Sequence, residues 1–390
     1  MKRALIALCL FLLTASTSSA AGDPIRIGIL GQFTGPFAIA GAQFRQGVDA
    51  WVAQNGTNPG GRPIEILYRD IGGANPANAR RLAEELITHD KVSILGGFYL
   101  SPEATAVASL VTEAKIPTVL FEAGSAPVVT LSPYFVRTGN SIAQGAQTQA
   151  MWAYKHGKRK AYLIVSDYAP GYDVEAAFKD RFTSLGGTIV GDDRAPLSTV
   201  DYAPFAARAA DTKADLVVTF IPTGAPAISL LKALTAQGVS QKVVVIGQAE
   251  ADDPDLGQYD DTILGFYSSL HYALGINNDA NRKFKAAIQS KYPGAIPSFL
   301  MVGAWDGMRV IYHMIEAQNG KPFDPDVAIS SVLGYSFDSP RGRVTINKET
   351  HDINQPYFIR RVEKVNGHLQ NALIETFPPV TDTTHNTAAK

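Results

Sequence analysis

Hydroxyl, phenol and carboxyl side chains occur in four loops, each of which follows a predicted strand. One loop contains Ser101-Pro102-Glu103, where a capping hydroxyl, a proline and an early acid predict the start of a helix. The amide groups and the dipole at a helix start favour an anion, and the Ser101 hydroxyl can donate a further hydrogen bond to it. This pattern favours binding of a small carboxylate; the alternative is that Ser101 only caps its own helix.

Aromatic side chains accompany these loops. Tyr168 and Tyr172 lie in the third loop, and a phenol wall with one polar group suits an aromatic or branched solute. We expect one of the two to reach the cleft, the alternative being that both pack on the surface. Phe37 and Tyr99 are expected to line the apolar end of the same site, unless they belong to the core.

Signatures of common enzymes are absent from the sequence. Gly28-x-x-Gly31-x-x-x-Gly35 departs from the dinucleotide pattern Gly-x-Gly-x-x-Gly, and no P-loop, His-Glu-x-x-His or Gly-x-Ser-x-Gly occurs. The seven histidines have no metal-ligand spacing. We therefore expect no enzyme activity, no cofactor and no metal. Because acid and base carboxylates need no signature, an exported α/β hydrolase or oxidoreductase stays open as an alternative.

Predicted strands and helices alternate along the chain, which indicates an α/β fold with doubly wound parallel sheets. The predicted strands are short, apolar or β-branched, and bounded by Gly, Pro, Asp or Ser. The segments between them carry apolar residues at helical spacing, as in the helix that Asn75-Pro76 begins. The predicted strands are Ile25–Leu30, Pro63–Asp70, Val92–Gly96, Thr118–Phe121, Ala161–Ser166, Thr188–Gly191, Asp215–Phe220, Val243–Gly247 and Leu264–Ser268.

The first residues predict export. Two basic residues precede the apolar run Ala4–Leu13, and small residues follow at Ser18–Ala21, so Met1–Ala21 is predicted to be a cleaved signal peptide that directs the chain to the periplasm. The single cysteine, Cys9, lies inside this segment, so the mature chain has no disulfide. The formal net charge of −1 argues against a nucleic-acid partner.

The mature chain of about 370 residues exceeds one compact core and predicts two lobes. We expect the chain to cross between the lobes near Gly139–Gln144, near Tyr272–Gly275 and near Ser339–Val344. The alternative is two sequential domains without recrossing. The expected units are lobe 1, residues 24–141 plus 274–342; lobe 2, residues 142–273 plus 343–375; and a flexible tail, residues 376–390.

The order and spacing of several segments resemble a known family, the periplasmic solute-binding proteins of branched-chain amino-acid-type ABC importers, which are type I periplasmic binding proteins. The resemblance covers nearly all of Ile25–Glu375. It implies two Rossmann-like doubly wound lobes joined by a three-crossover hinge, a small carboxylate solute enclosed between them, and an inner-membrane permease with its ATPase as partners. The segments that carry it are Gly28–Phe37 with Gly41 and Gly47, Asp70, Gly96-Gly97, Ile116-Pro117, Ala123–Pro127, Phe135–Thr138, and Asp167 followed by Gly171.

The resemblance also implies roles for residues at matching positions. Ser101 and Ser125 would place hydroxyls on the solute carboxylate, and the Ala123 carbonyl would accept from a ligand ammonium. Thr223 falls near another family contact, and Glu250 falls within one residue of the acid that pairs with the ammonium in amino-acid binders. If Glu250 faces the cleft, an α-amino acid is favoured. If it faces water, a carboxylate without an amine is favoured, because a buried unpaired acid is costly.

Three segments are more similar to the branch of the family that takes aromatic carboxylates such as hydroxybenzoates. A branched-chain or other hydrophobic amino acid, an amide and an aromatic acid all stay open as solutes. We expect the receptor to act as a monomer. A ligand-sensing receptor subunit of the same fold is the alternative to transport. The three segments are Gly97–Pro102, Val165–Gly171 and His271-Tyr272.

Overall fold

The computed structural model describes residues 23–380, so the predicted signal peptide lies outside the described residues, as do residues 381–390 of the predicted tail. The first five strands alternate with three long helices. They are β1 (Ile25–Gly31), α1 (Ala38–Asn55), β2 (Ile64–Asp70), α2 (Pro76–Thr88), β3 (Ile94–Gly97), α3 (Ser101–Glu113), β4 (Thr118–Leu120) and β5 (Phe135–Arg137). The strands form a parallel sheet in the order β2-β1-β3-β4-β5.

Local sequence explains where these elements begin. Asn75 caps α2 by accepting a hydrogen bond from the Asn78 amide at 3.0 Å, as the Asn-Pro pair predicts. Strand β5 was not predicted as a strand; it has three residues and lies at the edge of the sheet, where it pairs with β4 alone. Short edge strands of this kind carry too few residues for a periodic signal.

The middle of the chain repeats the alternation and builds a second sheet. Its elements are α4 (Ile142–Lys155), β6 (Lys160–Ser166), α5 (Ala169–Ser184), β7 (Thr188–Ala195), α6 (Ala203–Ala210), β8 (Leu216–Phe220), α7 (Ala225–Ala236), β9 (Val244–Gly247) and β10 (Tyr267–Leu270). These strands are parallel to their neighbours among β6 to β10. Strand β10 begins at Tyr267 rather than Leu264, because a 3-10 turn capped by Asp260 precedes it.

The remaining elements divide between the two lobes. They are α8 (Asp279–Lys291), α9 (Phe299–Glu316), α10 (Pro325–Val332), β11 (Ser336–Ser339), β12 (Gly342–Ile346), β13 (Ile353–Asn354), β14 (Tyr357–Val365) and β15 (His368–Phe377). Helices α8 and α9 pack on α1 of the first lobe, whereas the last two strands extend the second sheet to the order β15-β14-β10-β9-β8-β6-β7. Three short antiparallel strands, β11 to β13, form a separate sheet.

The five strands after residue 335 were not predicted. Strands β14 and β15 are an antiparallel hairpin whose outer strand is largely solvent-accessible, unlike the buried parallel strands that dominate the sequence signal. The predicted tail also begins too early, because Thr376 and Phe377 still pair with β14.

Strand pairing moves the third lobe crossing from the expected Ser339–Val344 to the link between β13 and β14. Residues 343–354 were expected in the second lobe. They contain most of β12, which pairs with β11, and β13, which pairs with β12, and their apolar side chains pack into the core of the first lobe. The His351 carbonyl accepts from the Arg137 amide at 3.1 Å, and the Arg137 guanidinium pairs with the Asp352 carboxylate. A buried ion pair between β5 and the residue just before β13 therefore holds this segment to the first lobe.

Hydrogen bonds join the three crossings at the hinge. Gln355 Nε2 donates to the Gly139 carbonyl at 3.0 Å, and the Tyr357 hydroxyl donates to the Ser141 carbonyl at 2.7 Å. Arg360 Nη1 donates to the Tyr272 carbonyl at 3.2 Å. The crossings thus lie side by side, as the predicted α/β fold with two doubly wound lobes requires.

Within residues 23–380, no helix combines the length and apolar character needed to traverse a bilayer.

Candidate functional site

A cavity lies between the two lobes, at the carboxyl ends of the parallel strands. Its apolar walls include Ile142, Phe220, Leu270 and Phe299, which come from both lobes and from the crossings. A small number of polar side chains interrupt these walls. A cleft or cavity with apolar walls and a few polar groups is the usual form of a site for a small organic molecule.

Three helices begin at this cavity. Helix α3 begins at Ser101, helix α5 follows its N-cap Tyr168, and helix α7 begins one residue after Gly224, next to Thr223. The first-turn amides of a helix have no partner within the helix, and its dipole places partial positive charge there. The convergence of three such ends makes the cavity suitable for an anionic group.

The approach to α3 requires a glycine at position 97. Gly97 has φ +108°, and a Cβ at this position would lie 2.0 Å from the Leu30 carbonyl oxygen of the neighbouring strand. Only glycine accepts both the dihedral angle and the close backbone contact. This turn carries the chain from β3 to Tyr99 and Ser101 at the cavity.

Ser101 lines the cavity but does not cap its helix. The N-cap is Leu100, and Ser101 is the first helical residue. Its hydroxyl oxygen accepts a hydrogen bond from the Ser125 amide at 3.0 Å, so the two serines expected at the site are neighbours. The capping alternative is therefore wrong.

Ser125 and Ala123 have partners other than a ligand. The Ser125 hydroxyl donates to the Asp173 carboxylate at 2.5 Å, and the Ala126 amide donates to the same oxygen at 3.0 Å. The Ala123 carbonyl, expected to accept from a ligand ammonium, instead accepts from Arg137 Nη1 at 3.1 Å. Neither residue lines the cavity. The contacts of Asp173 on α5 with the Ser125 loop join the two lobes.

Tyr99 and Thr223 make a second contact between the lobes, and both line the cavity. The Tyr99 hydroxyl accepts from the Thr223 amide at 3.0 Å, and the Thr223 hydroxyl donates to the Ala249 carbonyl at 2.6 Å. Phe37 is buried behind Tyr99, with ring centroids 6.2 Å apart, and does not reach the cavity itself. It supports the Tyr99 ring.

The structure separates the two tyrosines of the third loop. Tyr168 lines the cavity, and its ring stacks on Phe220 with centroids 6.3 Å apart and an interplanar angle of 14°. Tyr172 is 41% exposed, donates to Asp167 at 2.6 Å and lies under the Arg194 guanidinium. One helical turn separates the two positions, and only the N-cap residue points between the lobes.

Glu250 faces neither the cavity nor water. Its buried carboxyl accepts from the Gln248 amide at 2.7 Å and from the Ile221 amide at 3.2 Å. These contacts join the loops that follow β8 and β9 from behind the cavity wall. Both conditions set out from the sequence are therefore unmet, and Glu250 acts as a brace for two loops that line the site.

Sequence reasoning missed three polar residues that line the cavity. Glu122 follows β4, Asn140 follows β5 after two further residues, and Gln248 follows β9 directly. A polar residue just after a strand was the available signal for Glu122 and Gln248. Asn140 could not be found in this way, because β5 itself was not predicted.

Burial raises the pKa values of several acids around the site. It raises the pKa of Glu250 and of Asp255 to about 7 and that of Glu122 to about 8, and it also raises the pKa of Glu103, below the α3 start, to about 7. Arg341 and Arg137 partly oppose the shift at Glu122.

Within the described residues, no group of histidine, cysteine and acidic side chains is arranged to hold a metal ion.

These shifts predict that the ligand-free protein loses stability as the pH rises from about 6.5 to about 8.5. The same acids are already ionised in the unfolded chain above about pH 5, so the folded state binds more protons in this window. Buried His271, whose pKa burial lowers well below its usual value, opposes the trend only below about pH 6.5.

We expect the unfolding free energy from urea denaturation to fall by an amount on the order of a few kcal/mol across this range. The variant Glu250→Gln, which lacks one of these protons, should show a smaller fall. An unfolding free energy that rises or stays level from about pH 6.5 to about pH 8.5 would contradict the raised pKa values of these acids.

The two-lobed α/β fold with an interlobe cavity at helix starts defines a solute-binding class of protein. The chain belongs to the periplasmic binding protein family, because the family model of that description matches residues 24–367. It is 39% identical over 383 residues to the Leu/Ile/Val-binding protein homolog 6 of Brucella melitensis, covering 96% of this chain and 97% of the relative. The family resemblance stated from the sequence is confirmed.

Solved structures extend the comparison. The solute-binding protein of an ABC transporter from Rhodopseudomonas palustris HaA2, in complex with p-hydroxybenzoic acid, matches with a TM-score of 0.90 and 40% identity over 93% of this chain and 99% of that chain. A second, from Rhodopseudomonas palustris BisB5 in complex with 3,4-dihydroxybenzoic acid, matches with a TM-score of 0.88 and 36% identity over 93% and 99%. A leucine-binding protein from Thermotoga maritima, at 21% identity and a TM-score of 0.79, shares the fold.

Proposed function

We propose that this chain is the periplasmic solute-binding component of an ABC importer and that its solute is a small aromatic carboxylate. The observation that carries the proposal is the cavity between the lobes, where the Tyr168–Phe220 stack and other apolar walls meet three helix starts. The rings suit a flat apolar body, and the helix starts suit one carboxylate. The ligands of the two Rhodopseudomonas proteins have this composition.

The contacts of two residues argue against an α-amino acid as the preferred solute. Glu250, the expected partner of a ligand ammonium, is occupied by backbone amides behind the wall. The Ala123 carbonyl, the other expected partner, is occupied by Arg137. An ammonium buried without these partners would lose its hydration without full compensation. A carboxylate without an amine avoids that cost.

Isothermal titration of the purified mature protein with benzoate, 4-hydroxybenzoate and leucine tests the proposal. We expect at least one of the two benzoates to bind more tightly than leucine. If the folded protein binds leucine and neither benzoate, the aromatic assignment is wrong; if it binds none of a wider carboxylate panel, the receptor assignment is wrong.

We infer that the chain binds its solute without transforming it and delivers it to a permease and ATPase from the periplasm. Membership of a family of binding proteins supports this inference. Chromatography of a bound benzoate after prolonged incubation with the protein should return the compound unchanged. A product formed in proportion to protein concentration would support the enzyme alternative instead.

The contact between Asp173 and the Ser125 loop predicts slower ligand release than an unlatched cleft would allow. Asp173→Asn replaces a charged acceptor shared by the Ser125 hydroxyl and the Ala126 amide with a neutral one. Hydrogen bonds to charged groups contribute about 1.5–3 kcal/mol, and partial retention by Asn leaves an expected loss of affinity of roughly tenfold, mostly in the dissociation rate.

Stopped-flow dissociation of the bound benzoate measures this effect. Asp167→Asn is the matched control, because Asp167 accepts from Tyr172 within the same lobe and is exposed. The control should change the rate less than twofold. Equal dissociation rates for wild type and Asp173→Asn would show that the contact does not hold the lobes closed.

A further inference from the structure

Buried oxygen atoms without hydrogen-bond partners mark one part of the cavity. Among the residues that the structure describes, Glu122 Oε2, Asn140 Oδ1 and Gln248 Oε1 are buried and have no donor within reach. All three residues line the cavity. Buried polar atoms in native proteins are nearly always satisfied, and an unsatisfied one costs about 1–3 kcal/mol. Three in one cavity point to an occupant that supplies donors.

These three side chains lie close to the first lobe crossing. A Cβ at Gly139 would lie 2.9 Å from Glu122 Oε2, which places that oxygen directly against the residue before Asn140. Gln248 Nε2 donates to the Ile142 carbonyl at 3.1 Å, two residues beyond Asn140. The group therefore combines residues of both lobes around the same short segment, and we call it the acceptor cluster.

The contacts of Gln248 fix the chemical identity of its free atom. The Gln248 amide is oriented by the bond from its Nε2 to a carbonyl, which leaves Oε1 as a free acceptor. The Glu122 carboxyl keeps an acceptor oxygen in either protonation state, and in its neutral form it also carries one O–H donor. Asn140 can present either end of its amide. The cluster thus requires a donor from the ligand and tolerates a second polar atom beside it.

The charge of Glu122 separates a hydroxyl from an ammonium as that donor. Burial raises the pKa of Glu122 to about 8 despite the opposing effect of Arg341 and Arg137, so its side chain is mostly neutral at pH 7. A neutral acid pairs with a neutral hydroxyl without placing net charge in the cavity. An ammonium would require an ionised partner at the same depth, with a larger desolvation cost.

We propose that the acceptor cluster of Glu122, Asn140 and Gln248 recognises a hydroxyl group on the ring of the solute, while the helix starts hold its carboxylate. The proposal rests on the proposed function and narrows it to hydroxylated aromatic carboxylates. Glu122 is the specificity-determining residue. An unsubstituted ring fills the same cavity but leaves the acceptor oxygens without donors.

Titration with a matched set of ligands tests the proposal. The probes are benzoate, 3-hydroxybenzoate, 4-hydroxybenzoate and 4-methoxybenzoate, of which the last has an oxygen but no donor. Wild type should bind at least one hydroxybenzoate 10-fold or more tightly than benzoate and 4-methoxybenzoate. In Glu122→Leu and Gln248→Leu this ratio should fall to threefold or less, with benzoate affinity retained as evidence that the site is intact.

The matched control is Glu175→Gln, a change at another buried acid, which pairs with Lys179 and Arg194 and does not line the cavity, and it should keep the wild-type ratio. If Glu122→Leu does not fold, the single variants Glu122→Gln and Gln248→Leu give the same comparison. Glu122→Gln keeps an acceptor oxygen and should retain the hydroxybenzoate-to-benzoate affinity ratio, whereas Gln248→Leu should lose it. A wild type that binds benzoates without preferring a hydroxyl overturns this inference and leaves the proposed function standing. Leucine binding that is lost in Glu122→Leu overturns it in favour of an ammonium, and binding of no benzoate removes the proposed function itself.

Discussion

Asp306→Ala is expected to lower the unfolding free energy by about 3–5 kcal/mol, because it leaves a fully buried guanidinium without its counter-charge. Asp306 and Arg341 are both inaccessible to solvent, and Arg341 Nη2 lies 2.8 Å from Asp306 Oδ2. Arg341 Nη1 also donates to the Gly139 carbonyl at 3.1 Å and to the Gln355 side chain, so the pair holds two of the lobe crossings together.

Equilibrium urea denaturation followed by circular dichroism measures this effect. Asp338→Ala is the matched control, because Asp338 forms an exposed ion pair with Arg343 in the same part of the chain. The side chains of Asp338 and Arg343 are 77% and 63% exposed. Exposed pairs contribute about 0–1 kcal/mol, so the control should change little. A loss below 1 kcal/mol in Asp306→Ala would mean that the buried pair does not stabilise the hinge.

Tyr168→Ala is expected to weaken binding of an aromatic carboxylate by roughly 10- to 150-fold, the equivalent of about 1.5–3 kcal/mol for one buried apolar side chain. The Tyr168 ring lines the cavity and stacks on Phe220, so its removal leaves both the ligand and Phe220 without a partner surface. Isothermal titration with the tightest-binding benzoate measures the change. Tyr168→Phe, which keeps the ring, should retain most of the affinity.

Tyr172→Ala is the control that separates the ring from its loop. Tyr172 is exposed and contacts Asp167 and Arg194 on the outer surface of the second lobe. Its removal should change affinity less than twofold. If Tyr172→Ala weakens binding as much as Tyr168→Ala does, the cavity between the lobes is not where the ring of the solute binds.

The two predictions concern different parts of the binding protein, the lobe crossings and the cavity wall. The Asp306–Arg341 pair lies at the crossings, whereas Tyr168 lies on the second lobe at the cavity. A receptor of this form uses solute contacts on both lobes to favour the closed arrangement over the open one. The contact from Asp173 to the Ser125 loop adds a bond between the lobes that does not involve the solute.

Much of the fold could be predicted from the sequence because it depends on local pattern. The buried parallel strands are short apolar runs with turn residues at their ends, and the helices begin at caps such as Asn75. The glycine at position 97 is likewise dictated by local geometry, since the turn there needs a positive φ. The strands missed were short, at a sheet edge or in antiparallel hairpins.

The amino-acid sequence by itself determined the α/β class, the two lobes, and the loops from which a site would be built. Only the tertiary structure decided which side chains of those loops meet. Tyr168 lines the cavity and Tyr172 lies outside it. Glu250 is buried behind the cavity wall, and Glu122 is the acid that lines the cavity. Such choices depend on contacts between segments more than a hundred residues apart, such as Gln248 with Ile142 and Tyr99 with Thr223, which no local pattern encodes.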